Sequence, residues 1–332
     1  MPSSSVSRFF DKNVVMSEIE TKVVVEYLTM QNGLKGAHSI RWAVNINDWI
    51  PTQQEWIKAM RCIQPIERQR IRKFRYRKDA KASIVGRLLM RFWASKTFNM
   101  DSNLLEFNRT EKGRPYLRIN LMKPTESEND YWDFNVSHAG NYTVFVAEKS
   151  VDSIGVDVMS LQDIRLDRSD EKIQDFFRIM TKQFTESEWN QIKNCSSPSS
   201  QTKSLATFFR FWTLKESFVK ADGEGLAWDL QRLSFQLFQK SFDDNNICDS
   251  ELSIDRQLVK NWHFQESLLD PNHWVSTALK ISQPLASSSS GPRFKYLICE
   301  DILNDLHEID FAKDDKIDEW KHFLDMVENK PF

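Results

Sequence analysis

The chain of 332 residues has four cysteines, Cys62, Cys195, Cys248 and Cys299, and no two of them are close in sequence. A disulfide scaffold or a structural zinc site would show tighter cysteine spacing, so free thiols in a reducing compartment are expected. No stretch approaches the roughly 18 uninterrupted apolar residues of a membrane helix, which rules out a transmembrane protein. The phosphate-cradling patterns GxGxxG and GxxxxGK[ST] are absent, and with them the support for dinucleotide or P-loop binding. No fixed-period repeat is present. An excess of one charge is missing too: 45 Lys and Arg stand against 47 Asp and Glu, a net −2, which argues against a histone-like binder of nucleic acid. Three Asn-x-Ser/Thr sequons, at Asn108, Asn135 and Asn141, fall inside the best-patterned region. No signal peptide precedes them, so they read as coincidence in an intracellular protein. The Ser-rich first ten residues faintly resemble a mitochondrial presequence, but Asp11, Glu18 and Glu20 follow soon.

What is present is an ordinary globular composition, 40% hydrophobic and 28% charged, long enough for roughly two domains. Residues 1–37 read as a tail with a short apolar stretch at Val23–Leu28. Ile40–Ile46 alternates like a strand, and Trp56 to Phe98 reads mostly as helix, best at Ala80–Trp93. Glu111–Pro115 is a turn. Phe134–Glu148 alternates around a turn at Ala139–Gly140, and Ile154–Met159 is a short strand. Phe208–Ala221 is a helix stopped at Asp222–Gly223. Leu230–Phe238 and Trp274–Ile281 are further strands. Residues 196–204 and 286–291 are polar, Ser-rich connections. Strands and helices mix without regular βαβ alternation, which favours an α+β fold.

Five features carry possible chemistry. From Arg61 to Arg91, eleven bases face two acids, Glu67 and Asp79, while Glu300 to Glu328 holds eleven acids and three lysines. The basic run fits a solvated face that balances the acidic tail, a polyanion surface, or phosphate recognition by a few of its side chains. The turn Arg109–Pro115 points Arg109, Lys112 and Arg114 toward one anion. In Asn135-Val-Ser-His138, strand alternation puts Ser137 opposite to Val136 and His138. Asp157 sits in the otherwise apolar strand Gly155–Met159, where an unpaired carboxylate costs several kcal/mol, so it needs a cation, donors or a cleft. Trp212, Glu216 and Lys220 share one helix face at spacings of four, on a segment whose Phe208, Phe209, Phe211, Phe218 and Val219 make it largely buried. Glu216 and Lys220 then face a cleft, and Trp212 packs against the core.

Taken in order, EKGRPYL (111–117), FNVSHAG (134–140), IGVDVM (154–159) and RFWTLKESFVKADGEGL (210–226) resemble the 4′-phosphopantetheinyl transferase superfamily, in its larger, monomeric, Sfp-like form. The likeness extends weakly from Arg41-Trp42 to about residue 281. It implies two similar α/β subdomains in a pseudo-twofold fold, at 38–150 and 151–285, with the active site in the cleft between them and residues 286–332 as linker and acidic extension. It implies transfer of the 4′-phosphopantetheine group from coenzyme A to a Ser of apo carrier proteins, with release of adenosine 3′,5′-bisphosphate and a requirement for Mg²⁺: a holo-[acyl-carrier-protein] synthase.

By the same resemblance Asp157 and Glu216 match the metal-binding carboxylates, and Lys220 an active-site lysine at the pyrophosphate. His138 matches a ligand of the 3′-phosphate, within the coenzyme-binding stretch Asn135, Val136, Ser137 and His138. Arg109, Thr110, Glu111, Lys112, Gly113 and Arg114 match the basic turn that holds coenzyme A, and Arg70 another contact to it. Glu216, directly or through a metal-bound water, is the expected base for the carrier Ser. Bacterial relatives often carry Asp-x-Glu, whereas this chain has Asp157-Val-Met159, and water is expected where a third carboxylate would bind. The partners implied are carrier domains of fatty-acid synthase, a mitochondrial acyl carrier protein and aminoadipate-type synthetases, which connect fatty acid biosynthesis and lysine metabolism. A cytoplasmic monomer that binds neither nucleic acid nor membrane is expected. Bases left over at Arg72, Arg75 and Arg77 would offer a surface to acidic carriers.

Overall fold

A computed structural model of the chain describes residues 38–118, 131–161, 170–193, 200–238, 250–282, 291–309 and 318–328. The segment 1–37 with its apolar stretch, residues 196–199 and 286–290 of the two polar connections, Cys195 and Cys248 lie outside the described residues. Cys62 and Cys299 are free and buried.

The chain begins with β1 (Ser39–Asn45), whose five central residues are buried. Three helices follow: α1 (Gln53–Arg61), α2 (Pro65–Ile71) and α3 (Arg77–Phe98). The sequence suggested a nearly continuous helix here. Pro65 opens α2 at its first turn and cannot continue a helix before it, and Tyr76 is extended, so the run breaks twice. Thr52 and Glu55 cap α1 reciprocally. The hairpin β2 (Glu106–Arg109) and β3 (Pro115–Arg118) encloses the expected turn. Strands β4 (Trp132–Ala139) and β5 (Tyr142–Lys149) form a second hairpin. Gly140 turns it with φ 56°, and a Cβ there would meet His273 Nε2 at 2.3 Å. Strand β6 (Ser153–Ser160) leads to α4 (Asp170–Ile179), α5 (Glu186–Lys193) and the long α6 (Ser200–Asp222). Then come β7 (Leu233–Gln236), β8 (Glu251–Ile254), β9 (Gln257–Leu258), β10 (Trp262–Asp270) and β11 (His273–Lys280). The described chain ends with β12 (Lys295–Tyr296), α7 (Cys299–Asp305) and α8 (Glu319–Asp325).

The architecture is α+β. One sheet has the order β12-β1-β5-β4, another β10-β11-β6, and β7-β8-β9 form a small third sheet. The two larger sheets repeat one plan. In each, a first strand (β1 or β6) precedes a long helix (α3 or α6), and a hairpin follows (β4–β5 or β10–β11) whose second strand pairs with the first. The repeat is in topology, since the sequence shows no periodic identity. The edge of β6 is held by side chains of β4. Ile154 N donates to Asp133 Oδ2 at 2.8 Å, and Val156 N to Asn135 Oδ1 at 3.2 Å. Side chains of β4 thus join the two sheets along the edge of β6.

Each long helix covers its sheet with apolar side chains. Trp42, Phe92, Trp93, Phe134 and Phe145 interlock on one side, and Phe184, Phe208, Phe209 and Trp274 on the other. Gly155 of β6 lies directly beneath α6, where an added Cβ would fall 2.1 Å from Ser217 O and 2.4 Å from Ala221 N. The helix that carries Glu216 and Lys220 therefore rests on the strand that carries Asp157.

The acidic C-terminal segment folds back onto the basic run. Arg72 pairs with Glu319, and Arg77 donates to Phe323 O and to Leu324 O at 3.2 and 2.6 Å. Trp56 Nε1 donates to Glu319 O at 3.2 Å, and Val327 N to Arg75 O at 2.9 Å. Arg68 and Arg91 are buried and bonded to main-chain carbonyls. Arg72 and Arg77 are thus engaged within the chain as a seat for α8, while Arg75 is exposed and only its carbonyl meets this segment.

Gly155→Ala is expected to destabilise the protein by about 1–3 kcal/mol or more, because the new methyl meets main chain that cannot turn aside. Denaturant unfolding of the two proteins side by side measures this.

Candidate active site

The long helices face each other across a cavity of about 630 Å³. Helix α3 lines it with Ala82, Ser83, Gly86, Arg87 and Met90, the i, i+3/i+4 face of its middle turns. Helix α6 contributes Glu216, Val219 and Lys220 by the same spacing, and β4 contributes Asn135, Val136 and His138. The turn between β2 and β3 supplies Arg109, Lys112, Gly113 and Arg114. A smaller cavity of about 370 Å³ adds Ser137, Asp157, Met159 and Trp212, and shares Val136, His138, Glu216 and Lys220 with the first.

At the shared wall Lys220 Nζ donates to Asp157 Oδ1 at 2.6 Å and to Ser137 Oγ at 2.8 Å. Ser137 Oγ donates to the same Asp157 Oδ1 at 3.0 Å. Asp157 Oδ2 is buried and has no hydrogen-bond partner. Burial raises the pKa of Glu216 above the usual carboxylate value, and the charge of Asp157 raises it further, while Lys220 opposes both. Two carboxylates thus approach each other with one cation between them. An oxygen left bare and a carboxyl short of positive charge form a donor set that suits a hard divalent cation completed by phosphate oxygens and water. Among the described residues no group of three His, Cys, Asp or Glu forms a closed metal cage.

The opposite wall is an arginine cluster. Glu67 receives Arg109 Nε at 3.0 Å and Nη2 at 3.2 Å, Arg70 Nη1 at 2.9 Å, and Arg87 Nε. Burial pushes the Glu67 pKa up, but hydrogen bonds from Arg109 and the charges of Arg87 and Arg109 outweigh it, and the net shift is downward. Three guanidiniums around one carboxylate leave a surplus of two positive charges at the cavity, a seat for a phosphate-rich anion.

Residues 47–150 match the family model described as 4′-phosphopantetheinyl transferase, N-terminal, and residues 153–278 that of the 4′-phosphopantetheinyl transferase superfamily. The chain belongs to the 4′-phosphopantetheinyl transferase superfamily. Transfer of phosphopantetheine from coenzyme A to a carrier protein is the activity of that family, and the chain is a transferase of this kind. It is 37% identical over 242 residues to the L-aminoadipate-semialdehyde dehydrogenase-phosphopantetheinyl transferase of Rattus norvegicus, covering 73% of this chain and 74% of the relative. With the protein of the same name from Xenopus laevis the identity is 39%, over 73% and 76%. With the 4′-phosphopantetheinyl transferase Sfp of Bacillus subtilis it is 26% over 199 residues, 60% of this chain and 77% of the relative.

Of the residues singled out in this transferase sequence, Asp157, Glu216, Lys220, Asn135, Val136, Ser137, His138, Arg109, Lys112, Gly113 and Arg114 all reach one or both cavities. Arg70 does not line them and stands behind Glu67. Thr110 shapes the turn, since its Oγ accepts Arg114 N at 3.1 Å, and Glu111 is exposed at the tip. Trp212 packs on Phe208 and Phe184, as expected. Lys215, next to Glu216, points the other way into a buried pair with Glu188 at 2.7 Å.

Sequence reasoning missed Ser83, Arg87, Lys182, Gln183, Trp228 and Asp229 as lining, and Glu67 as the hub of the arginines. An acid isolated in a basic run was the available signal for Glu67. Because its pKa is lowered by folding, its ionisation contributes stability above the unfolded value near 4.5, and that contribution is lost as pH falls below it. Glu67→Gln is therefore expected to lower stability at pH 7 and to weaken the loss of stability between pH 5 and pH 3, as read by denaturant titrations across that range.

Proposed function

We propose that the transferase binds coenzyme A in the larger cavity, with the nucleotide phosphates on the arginine side and the pyrophosphate against Lys220, Asp157 and Glu216. The observation that carries this reading is the bare buried Asp157 Oδ2 beside Glu216 and Lys220, opposite a cationic wall. Arg109, Lys112, His138 and the main chain of the turn at Thr110, Glu111 and Gly113 are assigned to the nucleotide, with Arg70 acting from behind Glu67. Two similar halves, 38–150 and 151–285, enclose the site.

Asp157 and Glu216 would hold Mg²⁺, which suits oxygen donors and phosphates. Bound there, the ion would offset negative charge on the pyrophosphate as its bond breaks. The carrier Ser Oγ attacks the phosphorus that bears the pantetheine, a new O–P bond forms, and the bond to adenosine 3′,5′-bisphosphate breaks. Glu216 receives the Ser proton. Lys220 supplies positive charge beside the leaving oxygen. Apolar Val136, Met159 and Trp212 line the smaller cavity beside these groups.

The carrier partners proposed are apo acyl carrier proteins, fatty-acid synthase carrier domains and, following the printed name of the animal relatives, an aminoadipate-type carrier domain. Both halves of the site come from one chain, which supports action as a monomer. Two buried free cysteines, with the Cys62 thiol pushed up to about 11 by burial, support a reducing, cytoplasmic setting. No helix among the described residues is long and apolar enough to cross a membrane.

Intact mass of an apo carrier after incubation with the protein, coenzyme A and Mg²⁺ is expected to rise by one phosphopantetheine group. Omission of the metal, Asp157→Ala and Glu216→Ala are each expected to abolish the gain, with losses of at least about 100-fold in rate. No gain with any of several carriers would overturn the reading.

A further inference from the structure

Arg114 stands in the turn matched to coenzyme A, but its guanidinium faces the protein. Helix α6 ends at Asp222, where Gly223 N donates to Val219 O at 3.1 Å, and the carbonyls that follow Val219 are those a helix end leaves without an intrahelical partner. Arg114 Nη1 donates to two of them, Lys220 O and Ala221 O, the latter at 3.3 Å. Its Nη2 donates to Asp133 Oδ2 at 2.5 Å, to Ile154 O at 2.8 Å and to Phe134 O at 3.3 Å. Five acceptors from α6, β4 and β6 converge on one planar cation, a geometry that suits the guanidinium fork.

These contacts reach the backbone of Lys220 and that of the strand that carries Asp157. One carbonyl belongs to Lys220 itself. Ile154 lies three residues before Asp157, and its N–H is held by the same Asp133 Oδ2 that accepts Arg114. The negative end of the α6 dipole also favours a cation at this place. The neighbouring Arg109 differs, since its partner Glu67 lies in the arginine cluster on the opposite wall.

We propose that Arg114 is a positioning residue, one that sets Lys220 against Asp157 by clamping the last turn of α6 to β4 and β6, and that it is not a phosphate ligand. This rests on the transferase reading above. Without the guanidinium, three elements lose their common donor, the last turn of α6 loosens, and the Lys220 ammonium shifts relative to Asp157. A misplacement of about 1 Å at a reacting centre costs as much as about 100-fold in rate. The nucleotide seat is built by other side chains and stays intact. The loss therefore falls on kcat and spares the KM for coenzyme A.

The test compares Arg114→Met, Arg114→Lys and Asp133→Asn with the unsubstituted chain. It measures kcat, KM for coenzyme A, inhibition by adenosine 3′,5′-bisphosphate, and Tm, with all assays run well below each Tm. Arg114→Met is expected to lower kcat by about tenfold or more, with KM and the inhibition constant within about threefold. Arg114→Lys restores part of kcat, because a cation returns with fewer fixed donors. Asp133→Asn removes the counter-charge without entering either cavity and lowers kcat in the same sense. It decides the matter, with Arg114→Lys, if Arg114→Met does not fold. A tenfold rise in both KM and the inhibition constant with kcat retained would overturn the proposal and make Arg114 a phosphate ligand. Unchanged kcat in the folded variants would overturn it as well. Absence of transfer by the unsubstituted chain is a separate outcome, and it would remove the transferase reading instead.

Discussion

The structure depends on how the open edge of β6 is satisfied. Its outward N–H groups cannot stay unpaired in the interior without a cost of about 1–3 kcal/mol each. They are taken up by side chains of β4, Asp133 on Ile154 and Asn135 on Val156. The same alternation puts Ser137 on Asp157. One face of one strand therefore closes the seam between the two sheets and reaches the acid at its end. Gly155 then allows α6 to sit on the other face of β6 at main-chain contact, which brings Lys220 to Asp157.

The electrostatics follow from this seam. On its α6 side two carboxylates and a lysine share a small volume, and burial works against ionisation of Glu216. On its α3 side Glu67 holds three arginines near one another at a cost that their charges offset. A cavity with carboxylates at one wall and surplus positive charge at the other is polarised before any ligand enters. That is the arrangement a pyrophosphate with a divalent cation at one end and a nucleotide phosphate at the other calls for.

The C-terminal segment completes the first sheet. β12 adds in parallel to the otherwise open edge of β1, and α8 stacks Phe323 on Trp56 at 4.0 Å. An open edge is prone to pairing with other chains, and a short added strand is one way to cover it. The charge balance between the basic run and the acidic tail, visible as a sum in the sequence, is realised as contacts between Arg72, Arg77 and α8.

The sequence by itself determined the element types, the α+β class and the side chains that meet at the two cavities. Alternation marked β4, β5 and β6, and the four-residue spacing of Trp212, Glu216 and Lys220 marked one face of α6. These are local properties, fixed by periods of 2 and 3.6 residues. Tertiary structure decided which of the basic residues serve the site. Arg87 and Arg109 gather on Glu67, which is 42 residues from Arg109 in the chain, and no local pattern records that meeting. Arg72 and Arg77 went to a helix almost 250 residues away. Arg114, alike in sequence to its neighbours in the turn, gives its guanidinium to the carbonyls at the end of α6 and to Asp133. A cation's role is set by the acceptors that folding brings within about 3 Å of it, and those come from distant parts of the chain.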